Sequence, residues 1–136
     1  MTPCPALHRA PKRERGPIRL LLVEDDEDIR DALLRSLEAE GYRVTPAANG
    51  VEALDRLQDS TEYGLILLDL MMPVMNGEQF RAEQVKASQL ARIPVVVLSA
   101  NRQARQKAAE IGAAACIVKP IDLDALLAAI ERNAIR

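Results

Sequence analysis

Five side chains spread along this 136-residue chain could do chemistry together: Glu24 and Asp25, Asp69, Ser99 and Lys119. Each position closes a short apolar run. "IRLLLV" precedes Glu24, "GLILL" precedes Asp69, "IPVVVLS" ends on Ser99 and "ACIV" runs into Lys119. Three carboxylates drawn together would repel one another and lose hydration, which is costly unless a cation compensates. Carboxylates with water suit Mg²⁺ better than a soft metal. The single histidine is His8, in the N-terminal segment, which argues against zinc. An ammonium and a hydroxyl beside the metal would clamp the non-bridging oxygens of a phosphoryl group, whose transfer depends mainly on positioning and charge neutralisation. A carboxylate can also be the nucleophile and carry an aspartyl phosphate. Asp69, centrally placed, is the candidate.

Those residues need a frame. Apolar runs at 18–23, 42–47, 64–68, 93–99 and 115–118 have strand length and alternate with helical segments. Ile29, Leu33 and Leu37 share one helical face, and Gly41 stops that helix. Asn49 is placed to cap a helix presenting Val51, Leu54 and Leu57. Gly77 opens a third helix running to about Ser88, Arg102 to Ile111 forms a fourth ending at Gly112, and Asp122 caps the last, with Leu123, Leu126, Leu127 and Ile130 on one face. Pro46 marks the second strand as an edge strand or a strand end. Strands apolar on both faces and joined by helices predict a doubly wound (βα)5 α/β domain, flavodoxin-like, with a five-stranded parallel sheet. In such sheets the reactive groups gather outside the carboxyl ends of the strands.

Composition narrows the function classes. The chain has no Trp, and its only aromatics are Tyr42, Tyr63 and Phe80, too few for a base-stacking surface. The net charge of −2 gives no reason to expect polyanion binding. Residues 1–17 carry four basic side chains against Glu14, a local +3, and half of the eight prolines; the remainder sums to −5. That composition predicts a disordered tail before a single domain at 18–136. No apolar run approaches the length of a bilayer span, and no secretory pattern precedes the first strand, so a cytoplasmic protein without membrane insertion is expected. Cys4 and Cys116 form no metal or redox motif.

The ordered motifs "LLVEDD", "LILLDLMMPVMNG", "VVVLSA" and "IVKPI" resemble those of the response regulator receiver domains of two-component signalling, the CheY-like family, over residues 18 to about 134. The resemblance implies that Asp69 is the phosphoacceptor. It implies that Asp25 holds Mg²⁺ directly, Glu24 through water, and the backbone carbonyl of Met71 beside them. Ser99 would be the switch hydroxyl, with Lys119 the phosphate-side lysine, a cis bond before Pro120, and Asn101 flanking the phosphoryl group. Pro73 and Gly77 match the turn out of the third strand. The departure is Cys116, three residues before the lysine, where the family often has Tyr or Phe.

The expected function is a stand-alone receiver domain, a phosphoacceptor rather than an enzyme. It takes its phosphoryl group from a histidine kinase or a histidine phosphotransfer protein. It signals to a downstream protein through the face of the fourth helix, fifth strand and last helix. No second domain follows Arg136, so direct nucleic-acid binding is not expected. The alternative is a receiver fold that scaffolds partners without phosphate, for which Cys116 leaves room. A haloacid-dehalogenase-type hydrolase is disfavoured, because Asp26 and Asp28 are followed by Arg30 rather than Thr or Val. Single residues have bland readings too. Asp26, Glu27 and Asp28 suit a helix start, Met71 and Met72 suit packing, Cys116 suits a small buried site, and Arg102, Arg105 and Lys107 suit a solvated face.

Overall fold

The computed structural model describes residues 17–72, 74–101 and 103–135. The tail predicted over 1–17 thus falls, except for Pro17, outside the described residues, as do Pro73 and Arg102. The elements are β1 (Arg19–Val23), α1 (Glu27–Ala39), β2 (Arg43–Ala47), α2 (Gly50–Asp59), β3 (Leu65–Asp69), α3 (Gly77–Gln84), α4 (Ser88–Ala91), β4 (Val95–Ser99), α5 (Ala104–Glu110), β5 (Ala115–Val118) and α6 (Leu123–Asn133).

All five strands pair in parallel in the order β2-β1-β3-β4-β5. The strand alternation explains the layers. Leu21, Val23, Ile66, Leu68, Val95 and Val97 pack beneath Ala53 and Leu57 of α2, Phe80 of α3, and Ala104 and Ala108 of α5. Their neighbours in sequence, Leu20, Leu22, Leu65, Leu67, Val96 and Leu98, face Leu33 and Leu37 of α1 and Leu126, Ala129 and Ile130 of α6. Helices therefore cover both faces, as the doubly apolar strands predict. β2 is an edge strand, as Pro46 indicated. Among the described residues, no helix is long and apolar enough to cross a membrane.

Caps set the helix boundaries. Asp26 Oδ1 accepts from the Ile29 amide at 3.1 Å and Asn49 Oδ1 from Glu52 at 2.9 Å, while Asp122 Oδ1 accepts from Asp124 at 3.2 Å. Asn76 and Gln79 form a reciprocal capping box at the start of α3. Gly41 follows α1 at φ 97°, a conformation that favours glycine.

The third helix departs from its predicted span. It ends at Gln84 rather than near Ser88, and a separate short helix, α4, follows. Gln84 is fully buried, and its Nε2 donates to Leu90 O at 2.7 Å and Ile93 O at 3.1 Å. Its Oε1 accepts from Arg81 at 2.9 Å. A polar side chain thus satisfies the carbonyls of the returning chain, so the hydrophobic pattern gave no sign of the break. Replacing Gln84 with Leu should cost about 2 kcal/mol in urea denaturation, because the Ile93 carbonyl loses its side-chain donor and the Arg81 guanidinium loses its acceptor. An unchanged midpoint would refute that account.

Candidate functional site

Glu24 leaves β1 and Asp69 ends β3, and these adjacent strands flank the point where the strand order reverses. Both carboxylates are nearly sealed from solvent, with Glu24 0% and Asp69 3% exposed, whereas Asp25 is exposed. One carboxylate oxygen from each of the three lies within 4.8 Å of the others. Together with Lys119, Asp26, Ile29, Met71, Ala100 and Asn101 they line a hollow of about 410 Å³.

Lys119 follows β5 and divides its charge unequally. Its Nζ lies 2.7 Å from Glu24 Oε1 and 3.7 Å from Asp69 Oδ2. The closer contact, to a fully buried carboxylate, combines charge with hydrogen bonding. Burial acts to lower the lysine's pKa, but Glu24, Asp69 and Asp25 outweigh it and the net shift is upward, so the ammonium is fixed. Asp69 moves the other way. Burial first, then the adjoining Glu24 carboxyl, push it from 3.8 up to about 7, against the opposing pull of the Met71 amide and of Lys119.

Backbone geometry holds the two acids. The Met71 N–H donates to Asp69 Oδ1 at 3.1 Å. Asp26 N–H donates to Glu24 Oε2 at 3.2 Å, and Arg30 of α1 donates to the Glu24 carbonyl at 2.9 Å. Arg30 has no place in the expected set, and nothing in its sequence position marks it. The N–H of Gly77 donates to Leu70 O at 3.1 Å, and a Cβ there would stand 2.8 Å from the Asp69 carbonyl oxygen. Glycine at that position therefore lets α3 start directly against the backbone of Asp69.

The Lys119–Pro120 bond is cis, as expected from the family pattern. Ser99 is 1% exposed, and its Oγ accepts from the Asn101 N–H at 3.1 Å. It does not line the hollow of the acids. It lines a neighbouring one of about 350 Å³ with Leu70, Asn76, Glu78, Lys107 and others, and among the described residues only Met71 and Asn101 border both. Met71 is 70% exposed, so its side chain is not the packing residue expected, whereas Met72 is buried. Cys116 is partly buried against the α2/α3/α5 core rather than fully enclosed, and burial raises its thiol pKa over the opposing effect of Arg105. Lys107, expected on a solvated face, reaches Glu78 of α3 at 3.3 Å.

Three carboxylates with oxygens within 4.8 Å of one another, two of them buried and offset by the Lys119 ammonium, are what a hard divalent cation would complete. The donor set fits Mg²⁺ in chemistry.

Comparison with known proteins agrees with this geometry. Residues 20–131 match the family described as the response regulator receiver domain. The chain is 41% identical over 115 residues to the transcriptional regulatory protein CpxR homolog of Haemophilus influenzae, covering 83% of this chain and 48% of that protein. Response regulator MprA of Mycobacterium sp. is 36% identical over 114 residues, 82% of this chain and 48% of that protein. The chain spans about half the length of these curated relatives. Among solved structures, the chemotaxis protein CheY4 of Vibrio cholerae superposes with TM-score 0.78 at 31% identity, covering 87% of this chain and 99% of that one. Response regulator TrrA of Thermotoga maritima, solved in complex with Mg²⁺ and beryllium fluoride, gives 0.76 at 30% identity, covering 85% and 97%. With a doubly wound sheet, acids at its central strand ends and a lysine after β5, this chain belongs to the response regulator receiver domain family of two-component signalling.

Proposed function

We propose that Asp69 accepts a phosphoryl group from a phosphohistidine, carried by a histidine kinase or phosphotransfer protein, with Mg²⁺ bound by Glu24, Asp25, Asp69 and the carbonyl of Met71. The observation that carries this reading is the buried Asp69 carboxylate set among Glu24, Asp25 and Lys119 at the mouth of one hollow. In the transfer, one Asp69 oxygen bonds to phosphorus and the P–N bond to the donor imidazole breaks. The imidazole keeps the electron pair and takes up a proton. The cation, when bound, would neutralise charge on the phosphoryl oxygens. Lys119 supplies a fixed positive charge beside Asp69, and the Met71 amide holds the acceptor carboxylate in place. The beryllium fluoride complex of the Thermotoga relative, in which that group stands in for phosphoryl, supports the reading by analogy.

Ser99 serves as the switch hydroxyl by leaving its bond with Asn101 for the phosphoryl group. The output then passes through α5, β5 and α6 to a protein partner. α5 suits movement because it buries only Ala104 and Ala108, and it covers an edge strand whose four residues are all partly exposed. The domain acts as a cytoplasmic phosphoacceptor and not as an enzyme with a separate substrate.

Incubation with acetyl phosphate and Mg²⁺ should label the wild-type chain, and Asp69→Asn should carry no label by mass spectrometry. Labelling of the Asn variant at wild-type level would overturn the assignment.

A further inference from the structure

Besides the Asn76–Gln79 capping box, three hydrogen bonds among the described residues pin the loop between β3 and α3, and only two of them belong to the site motifs. Met71 N–H binds Asp69 Oδ1 and Gly77 N–H binds Leu70 O. The third pin comes from α2, which contributes no site residue. Gly50 N–H donates to Met75 O at 3.2 Å. A Cβ on Gly50 would lie 2.6 Å from Met75 Cγ, 2.9 Å from its Sδ and 3.0 Å from its Cβ.

Contact at the stem of the methionine cannot be relieved by swinging the thioether end alone. The backbone of Gly50 does not itself demand glycine, because its φ lies outside the positive range. The demand comes from Met75, whose side chain packs onto the core beneath α2 and α3. Its neighbour Val74 is held at φ 69°, a left-handed conformation that a β-branched residue rarely adopts. Val74 is also 79% exposed, so little packing of its own offsets the strain. Something else must hold the loop in that shape, and the seated Met75 is adjacent to it.

We infer that Gly50 is a positioning residue: its missing side chain forms a socket for Met75, and the seated Met75 holds Val74 strained and the β3–α3 loop in register over Asp69. The inference deepens the phosphoacceptor reading and rests on it for its functional consequence. The physical cause is steric, since a loop released at Met75 relaxes at Val74 and carries the Met71 amide away from Asp69 Oδ1.

The test uses the full chain, with circular dichroism as a check on folding. In metal-free protein, Gly50→Ala should speed hydrogen exchange of the Met71 amide about tenfold, with the β1 amides unchanged. It should weaken Mg²⁺-dependent beryllofluoride binding about tenfold, in line with the cost of small misplacements at a reacting group. Adding Val74→Gly to Gly50→Ala should restore most of that affinity, because glycine adopts the left-handed turn without an anchor. A purely structural defect at α2 would not be rescued by a change at residue 74. Wild-type exchange and affinity in Gly50→Ala, or a double variant no better than the single one, would overturn the inference. Should Gly50→Ala fail to fold, Met75→Ala, which empties the socket without a clash, must give the same faster exchange at Met71 or the inference falls. Failure of the wild type to bind beryllofluoride would refute the phosphoacceptor reading, and the exchange comparison would still decide the role of Gly50.

Discussion

Without divalent cation at pH 8, the Asp69→Asn variant should be more stable than wild type by about 2 kcal/mol, although it has lost the residue on which the site depends. The cause is the environment of the carboxyl. Asp69 is buried against Glu24, and its pKa rises from 3.8 to about 7 in the folded protein. Between those values the folded chain holds a proton that the unfolded chain has released. Stability therefore falls as pH rises through this window, and the full penalty is present above about pH 7. The whole shift would correspond to about 4 kcal/mol at 1.36 kcal/mol per unit. Relaxation of the hollow and entry of water around the ionised carboxylate bring the expectation down to about half of that. Asn is uncharged, retains an oxygen for the Met71 amide and presents an NH₂ group toward Glu24. The advantage should fade below pH 4, where Asp69 is protonated in both states.

Magnesium should reverse the order. At a concentration of about one hundred times its dissociation constant, a ligand that binds only the folded state stabilises by about 2.7 kcal/mol. The wild type should gain that amount, and the variant, which lacks a carboxylate of the cluster, far less. Urea denaturation at pH 4 and pH 8, with EDTA or with Mg²⁺, measures all four corners. A variant no more stable than wild type at pH 8 in EDTA would show that the acids are not in conflict.

This conflict was legible in the sequence only in outline. Apolar runs ending in Glu24, Asp69, Ser99 and Lys119 identify a parallel sheet with its polar groups on one rim, because strand ends are fixed by where burial stops. The caps at Asn49 and Asp122 were equally readable, since capping is local, whereas Asp26 stood out only as part of an acidic helix start. How the polar groups pair is not local. Lys119 lies closer to Glu24 than to Asp69, and Ser99 opens into the neighbouring hollow, because packing between elements decides where each side chain can reach. The same reason hid Gln84, a polar residue buried to satisfy carbonyls six and nine residues further along the chain, and Gly50, whose need for a missing Cβ arises only when Met75 arrives from the β3–α3 loop.

Removing the lysine should expose the conflict from its other side. Lys119→Met keeps much of the volume and deletes the ammonium that lies 2.7 Å from Glu24 and 3.7 Å from Asp69. Two buried carboxylates then face each other uncompensated, and breaking a buried pair in this way costs about 3–5 kcal/mol. In EDTA at pH 8 the variant should lose about 3 kcal/mol. Much of that should return at pH 5, where Asp69, whose pKa is pushed up to about 7, is neutral. Mg²⁺ should return it as well, because the cation supplies the charge that the lysine took away. The decisive comparison is the double variant Asp69→Asn/Lys119→Met. With one carboxylate already neutral, losing the ammonium is less damaging, so the two effects should fall short of additivity by about 1–2 kcal/mol. Strict additivity would mean that Lys119 stabilises the fold through Glu24 alone, at the nearer of its two contacts. Labelling by acetyl phosphate separates stability from chemistry. In saturating Mg²⁺ Lys119→Met should be folded and still label at least tenfold more slowly, since the ammonium charge beside Asp69 is then missing when the phosphoryl group arrives.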